Sequence, residues 1–210
     1  MSQQTTNRLT IYADYVCPFC HLGYASFDQY RTQRDEPLAV EWHPFDLRGH
    51  QRGADGTIDW DVETGKDDAY FEQARENVER LAERYGVEMA RPLARDVDSY
   101  DAQRVALRVA DVHPEDFEAF HRGVFEALWV DGEDIGKRAV LDAICTDAGL
   151  PDGFVAETLD DPASADALEA AFAAARNQRI TGVPTFVYGE HSARGAVPPE
   201  HLRRLIDGEA

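Results

Sequence analysis

Lysine is scarce in this sequence, because only Lys66 and Lys137 among its 21 basic residues are lysines. The 40 acidic residues give a formal net charge of −19 and are scattered along the chain. Binding to nucleic acid requires clustered cations, so we expect no nucleic-acid partner. Dispersed carboxylates with so little lysine favour adaptation to high salt, with an ordinary acidic protein as the alternative.

Long apolar runs are also missing. The sequence has no stretch of about 18 consecutive apolar residues, which excludes a membrane-spanning helix, and we expect no membrane partner. The polar segment at residues 1–8 has neither the apolar region of a secretion signal nor a twin-arginine motif. We therefore expect a soluble, cytoplasmic protein. Its 43% hydrophobic residues are sufficient for a packed core.

The first 44 residues have a strand–helix–strand pattern. Alternating apolar residues predict one strand over residues 9–13 and a second over residues 38–44. Between them, apolar residues at helical spacing follow Pro18, and proline suits the first turn of a helix. The pattern predicts a βαβ unit whose helix begins at Cys17 and Cys20.

The middle of the chain is predicted to be helical. Frequent Gly, Asp and Thr over residues 49–65 indicate a loop, after which apolar residues recur every three or four positions. Helices are predicted over residues 71–85, 99–109, 116–130 and 137–148, with Ser99 at the N-cap of the second.

Asp161 and Pro162 are expected to open an Ala-rich helix that ends before Gly182. Two short strands, over residues 185–188 and 192–195, and a helix over 199–206 complete the pattern.

The chemistry is predicted to lie in the C-x-x-C pair, Cys17 and Cys20. A C-x-x-C at the start of the helix of a βαβ unit is typical of a thioredoxin-like redox site. Free backbone N–H groups and the positive end of the helix dipole stabilise a thiolate at Cys17, which makes Cys17 the nucleophile. Cys20 is placed to attack a mixed disulfide on Cys17 and release the partner.

Two other interpretations of the pair are weaker. A zinc site needs further ligands, but Cys145 is solitary and better suited to core packing, which leaves His21 as the nearest candidate. A structural disulfide is uncommon in the cytosol, and so short a loop removes little entropy from the unfolded chain. We expect neither a metal nor a cofactor. His21 either tunes the Cys17 thiolate or points to solvent, and His43 is assigned no role.

A second motif, at residues 181–186, has Gly182 followed by Pro184 at the start of a predicted strand. Such a proline can simply begin an edge strand, and most bonds before proline are trans. Together with the cysteine pair, the motif points to the loop that faces the thiols in a thioredoxin-like fold.

The chain resembles the DsbA-like branch of the thioredoxin superfamily, nearest to the FrnE-type oxidoreductases. Their relatives are the 2-hydroxychromene-2-carboxylate isomerases and the kappa-class glutathione transferases. The matching stretches are residues 14–23, 41–47, 124–125, 132–135, 182–186 and 195–198.

The resemblance implies an α/β thioredoxin-like fold interrupted by an all-helical insertion domain. We expect residues 8–48 and 162–210 to form the thioredoxin-like domain and residues 49–161 the insertion. It further implies a cis proline at Pro184 facing the cysteines, and backbone hydrogen bonds from Val183 to an extended peptide. Substrate binding is assigned to Pro18, Phe19, Val183 and Pro184.

Two departures from the family pattern bear on function. Phe19 stands where many relatives have Trp, which leaves the direction of exchange open. Ser99 and Gln103 stand where relatives more often have Asn and His, which weakens binding of a glutathione-like ligand. The isomerases also have serine at the position of Cys17.

The sequence therefore predicts a protein thiol–disulfide oxidoreductase that acts through Cys17-Pro18-Phe19-Cys20. Its partners are protein or peptide thiols and disulfides, and its redox partner is open. The alternatives are a glutathione- or small-thiol-dependent isomerase or transferase, and a peptide-binding chaperone.

Overall fold

The computed structural model describes residues 8–53, 56–63 and 65–208. Residues 1–7, on which the expected cytoplasmic location depends, lie outside the described residues. A four-stranded mixed sheet has the order β2-β1-β3-β4. The strands are β1 (Arg8–Ala13), β2 (Ala39–Pro44), β3 (Thr185–Tyr188) and β4 (His191–Arg194).

β1 pairs with β2 in parallel and with β3 antiparallel, and β3 pairs with β4 antiparallel. In register, Ile11 of β1 lies opposite Trp42 of β2 and Phe186 of β3. β4 begins at His191, one residue earlier than predicted, because only Gly189 and Glu190 form the turn.

Eight helices are present in the described part of the chain. They are α1 (Pro18–Arg31), α2 (Asp68–Tyr85), α3 (Tyr100–Val112), α4 (Phe117–Trp129), α5 (Arg138–Asp147), α6 (Phe154–Asp160), α7 (Pro162–Asn177) and α8 (Pro199–Asp207). α1 connects the parallel strands, and β3, β4 and α8 follow as a unit. The prediction of an α/β thioredoxin-like fold is confirmed.

Six helices, α2 to α7, lie between β2 and β3. The assignment of residues 49–161 to a separate insertion domain stays a prediction. Packing joins this segment to the turn after β1 and to the start of α1, since one hydrophobic core contains Tyr15, Val16 and both cysteines together with Phe120 and Phe125 of α4. The indole Nε1 of Trp129 donates a hydrogen bond of 2.9 Å to the carbonyl oxygen of Tyr15.

The predicted N-cap is present at the start of α7 and absent at the start of α3. The carboxylate of Asp161 accepts a hydrogen bond from the N–H of Ala163 at 3.0 Å, and Pro162 begins α7, as predicted. Ser99 occupies the N-cap position of α3, but its side chain does not cap the helix. The Ser99 hydroxyl instead donates to the carboxylate of Asp14 at 2.5 Å.

The loop after β2 is fixed by charged side chains. Arg52 forms ion pairs with Asp46 at 2.9 Å and with Asp98 at 2.8 Å. These pairs hold the loop against the segment that precedes α3. The described helices include none with the length and apolar character needed to cross a bilayer.

Candidate active site

Cys17 lies at the junction of the turn after β1 and the first residue of α1. Its backbone is extended, with φ −92° and ψ 113°, and Pro18 occupies the first turn of the helix. The Cys17 N–H donates to the carbonyl of Asp14 at 3.1 Å, and the Cys17 carbonyl accepts from the N–H of Cys20 at 2.9 Å. The first turn of α1 has no acidic residue, and Cys17 lies at the positive end of the helix dipole.

Cys20 lies deeper than Cys17, and both are free thiols. Burial raises the pKa of the Cys20 thiol, and its hydrogen bond with Cys17 and the charges of Cys17 and Asp14 add to this effect. A hydrogen bond from the backbone of Asp14 acts in the opposite direction. Cys20 is therefore held as a protonated thiol. Cys17 is only 4% exposed.

The loop before β3 lies directly against the nucleophile. The Val183–Pro184 peptide bond is cis, and the Cys17 Sγ donates to the carbonyl oxygen of Val183 at 3.6 Å. The structure thus brings together two motifs that are 166 residues apart in the sequence.

Gly23 allows the close approach of this loop to α1. A Cβ atom built at Gly23 would lie 3.0 Å from Cγ of Pro184 and 3.4 Å from Cζ of Phe186. The sequence patterns assigned Gly23 no role of its own. The one indication of a role was that Gly23 lies within residues 14–23, the first stretch shared with the family.

Pro18 and Phe19 separate the two cysteines. Pro18 is buried, whereas Phe19 is half-buried and packs against two hydrophobic clusters. Of the predicted substrate-binding residues, Phe19 and Val183 are the partly exposed pair beside Cys17. The binding role of all four stays a prediction.

Asp14 is a buried carboxyl that the sequence reading did not single out. Its Oδ1 accepts from the N–H of Val16 at 3.2 Å and from the Ser99 hydroxyl, and its Oδ2 accepts from the N–H of Leu47 at 2.8 Å. Burial raises the pKa of Asp14 to about 6 against the opposing effect of these hydrogen bonds. The group therefore changes its protonation close to neutral pH.

Ser99 and Gln103, the two residues that depart from the family pattern, are tied to this carboxyl. Gln103 Nε2 donates to the Ser99 hydroxyl oxygen at 3.0 Å, and that hydroxyl donates to Asp14. Ser99 at the N-cap position and Gln103 within α3 connect the helical segment to the acid beside Cys20.

His21 does not point to solvent. Its ring is buried, with its centroid 5.6 Å from that of Phe125, and neither ring nitrogen has a hydrogen-bond partner among the described residues. Burial lowers the pKa of His21 to about 4, so the ring is neutral at pH 7.

His43 and Cys145 lie in other surroundings. His43 Nδ1 donates to the carbonyl of Pro44 at 3.1 Å, and its ring centroid is 4.7 Å from that of Tyr12. Cys145 is buried on α5, and burial raises the pKa of its thiol to about 12. Cys145 thus behaves as a core residue.

Potential metal ligands are clustered elsewhere. Within the described ranges, the one group of three His, Cys, Asp or Glu side chains close enough to share an ion is His113, Glu115 and Asp116. Neither Cys17 nor Cys20 belongs to it, so the zinc interpretation gains no third ligand from the described residues.

A C-x-x-C pair at the start of the βαβ helix, with a cis-proline loop against it, is typical of the thiol oxidoreductases of the thioredoxin fold. The chain belongs to the DSBA-like thioredoxin domain family, whose model matches residues 8–207. The predicted resemblance to the DsbA-like branch is thereby confirmed.

Known proteins similar to this chain include relatives along its whole length. Uncharacterized protein YwbO from Bacillus subtilis (strain 168) is 27% identical over 205 residues, which cover 97% of this chain and 98% of YwbO. A probable DsbA oxidoreductase, SCO1869 from Streptomyces coelicolor, superposes with a TM-score of 0.78 at 23% identity. The match covers 96% of this chain and 88% of the SCO1869 chain. A 2-hydroxychromene-2-carboxylate isomerase superposes with a TM-score of 0.76 at 18% identity, and the match covers 96% of this chain and 93% of the isomerase chain.

Proposed function

We propose that this protein exchanges disulfides with protein substrates, using Cys17 as the nucleophile and Cys20 as the resolving thiol. The observation that carries the proposal is the position of Cys17, at the N-cap of α1 with its Sγ 3.6 Å from the Val183 carbonyl. A thiolate at this position benefits from the helix dipole and lies beside a backbone edge that can bind an extended peptide.

The first step forms a mixed disulfide. The Cys17 thiolate attacks one sulfur of a substrate disulfide, the bond from Cys17 to that sulfur forms, and the other substrate sulfur leaves as a thiolate. Once Cys17 has lost its proton, it no longer donates to the Val183 carbonyl. That carbonyl is then free to accept a hydrogen bond from the backbone of the substrate.

The second step releases the substrate. Cys20 loses its proton and attacks the Cys17 sulfur, the Cys17–Cys20 bond forms, and the second substrate sulfur leaves as a thiolate. The chain loses two electrons and the substrate gains them, and the reverse sequence oxidises a substrate. Asp14, which lies beside Cys20 and titrates near pH 6, is the group that accepts the Cys20 proton.

The proposal includes a cytoplasmic location, where thiols are kept reduced by small-molecule and protein reductants. It also assigns substrate contact to Phe19 and Val183, with Pro184 holding Val183 in place. A peptide-binding role without redox chemistry would need neither thiol.

Replacement of each cysteine by serine tests the assignment. Cys20→Ser should accumulate mixed disulfides with a scrambled disulfide protein, because attack by Cys17 continues while the resolving step is lost. Cys17→Ser should trap no substrate, and Cys145→Ser serves as the matched control that behaves as the parent protein. Non-reducing electrophoresis reads out all three. Trapping by Cys17→Ser, or by neither variant, would overturn the assigned roles.

A further inference from the structure

A cavity of about 40 Å³ lies where the parallel strands β1 and β2 end, between the sheet and helices α3 and α4. Small side chains, Ala13, Ala106 and Ala110, leave this space, and Trp42, Phe117 and Phe125 form aromatic walls. The residues that line the cavity include neither Cys17 nor Cys20. Ligands of open α/β sheets commonly bind outside the carboxyl ends of the strands, which is the position of this cavity.

Two buried polar side chains line the cavity with one atom each left over. Gln103 is 2% exposed, and its Nε2 donates a hydrogen bond to the Ser99 hydroxyl oxygen. Its Oε1 has no hydrogen-bond partner in the described part of the chain. His121 is 3% exposed, and its Nε2 is likewise without a partner there. Buried polar atoms in proteins are nearly always paired, so two on one cavity point to a bound group.

The hydrogen bond between His121 and Tyr15 decides the role of the remaining nitrogen. The Tyr15 hydroxyl lies 2.8 Å from His121 Nδ1. Burial raises the pKa of Tyr15, so the hydroxyl keeps its proton, and because the hydroxyl has no other hydrogen-bond partner among the described residues, Nδ1 is its acceptor. Burial also lowers the pKa of His121 to about 3, so the ring is neutral and its one hydrogen is on Nε2. The residues that line the cavity therefore include an unpaired donor, His121 Nε2–H, and an unpaired acceptor, Gln103 Oε1.

No Asp, Glu, Lys or Arg is among the residues that line the cavity. An ion placed there would lose its hydration with no Asp, Glu, Lys or Arg beside it, and His43 and His121 are the basic side chains in the lining, so the lining favours an uncharged group over a carboxylate or an ammonium group. The volume suffices for about three water-sized spheres, which is room for the polar head of a small ligand. The cavity shares Trp42, Leu107, Ala110 and Phe117 with a groove of about 710 Å³, and Ala110 is exposed.

We propose that this cavity binds a small uncharged molecule whose head group both accepts and donates a hydrogen bond, such as a primary amide or a hydroxyl on an apolar body. The head group accepts from His121 Nε2–H and donates to Gln103 Oε1, and the body lies between the aromatic walls toward Ala110. The site is separate from the thiols, so its test does not depend on the redox activity.

The first experiment uses the reduced parent protein with three probes of matched shape: benzamide, benzoate and toluene. Binding is followed by the shift in melting temperature and by two-dimensional NMR titration. Benzamide should bind saturably, toluene about tenfold more weakly because it lacks the head group, and benzoate not at all. The absence of saturable benzamide binding, or equal affinity for benzamide and toluene, would overturn the proposal and leave a cavity that holds water only.

Variants then locate the bound probe. Gln103→Leu should weaken benzamide binding about tenfold by removing the acceptor, whereas Gln73→Leu, the same change at an exposed position on α2, should leave it unchanged. Ala106→Leu fills the cavity while keeping both polar side chains and should abolish binding. Benzamide binding by Ala106→Leu equal to that of the parent would refute the site, even if Gln103→Leu failed to fold.

Discussion

At the scale of single residues, the carboxyl of Asp14 links three segments that are remote in sequence. It accepts hydrogen bonds from the Val16 and Leu47 backbone and from the Ser99 hydroxyl, and it lies within electrostatic reach of Cys20. A buried carboxylate beside a buried thiol can accept the proton that the thiol loses. No local pattern in the sequence shows this arrangement, since it arises only when the ends of β1, β2 and the start of α3 meet.

The proton-accepting role of Asp14 predicts a specific pH profile. Below pH 6 the Asp14 carboxyl is protonated and cannot take the Cys20 proton, so release from a Cys17 mixed disulfide should accelerate as pH rises through about 6. Asp14→Asn should lose this rise and release substrate about 10²-fold more slowly above pH 6. Single-turnover release measured from pH 5 to 8 checks this, with Asp152→Asn, at an exposed position, as the control. An unchanged profile in Asp14→Asn would assign the proton to another group.

The contact between Gly23 and Pro184 predicts a loss of activity out of proportion to stability. In Gly23→Ala the new Cβ, 3.0 Å from Pro184 Cγ, pushes the Val183 carbonyl away from Cys17. We expect exchange to slow by about tenfold or more, with a stability loss of about 1–3 kcal/mol at most. Gly123→Ala is the matched control, because its Cβ would lie 2.9 Å from Ile144 Cγ2, away from the thiols. Thermal melts and exchange rates should show both variants destabilised and only Gly23→Ala slowed.

At the scale of elements, the side chain at the N-cap position of α3 bonds to a carboxyl of the candidate active site and does not cap the helix. The Ser99 hydroxyl makes no cap, and its bond to Asp14 lowers the pKa of that carboxyl. Ser99→Ala should therefore raise the pKa of Asp14 above about 6 and move the pH profile of substrate release to higher pH, without shortening α3. The profile and the helical circular dichroism signal are the two measurements.

Asp161→Ala is the contrasting case for Ser99→Ala. Asp161 is a true N-cap that accepts from Ala163, so its loss should cost about 1 kcal/mol of stability and leave the pH profile unmoved. A shift of the profile in Asp161→Ala, or none in Ser99→Ala, would contradict the assignment of Ser99 to Asp14.

The elements that the sequence predicted well are those with a strong local signal. Alternation over residues 9–13, Pro18 at the start of α1, and Asp161-Pro162 at the start of α7 all correspond to observed boundaries. α6, from Phe154 to Asp160, was missed because seven residues are too few for a helical period to stand out. Ser99 was misread as a cap because the same residue type serves both a helix terminus and a distant carboxylate.

Of the site, the sequence predicted the cysteines and the proline loop, since both are continuous motifs. It missed the donor and acceptor in the cavity, because the spare atoms of Gln103 and His121 are defined only by what α3 and α4 pack against. Burial of the His21 ring could not be predicted either, since its cover is supplied by Phe125, more than a hundred residues later.

At the scale of the whole molecule, the charge of −19 predicts that stability depends on salt. Repulsion among the carboxylates is screened over about 10 Å at 0.1 M and about 3 Å at 1 M salt, so the melting temperature should rise with potassium chloride. Replacing the exposed Glu76, Glu79 and Glu83 by Gln removes three negative charges and should make the dependence shallower. Differential scanning calorimetry over this range checks both. A flat or falling melting temperature would remove the basis for salt adaptation.

The hydrophobic core that contains both cysteines and residues of α4 couples redox chemistry to the folding of the helices. In a thermodynamic cycle, the difference in folding free energy between the oxidised and the reduced chain fixes how far the reduction potential of the Cys17–Cys20 pair departs from that of the same pair in the unfolded chain. A core substitution in α4 that destabilises the reduced chain by about 1.4 kcal/mol more than the oxidised chain lowers that potential by about 30 mV. If the proposed exchange takes place, the packing of α4 against the cysteines contributes to the reduction potential, and sequence change there can adjust it with the two cysteines untouched.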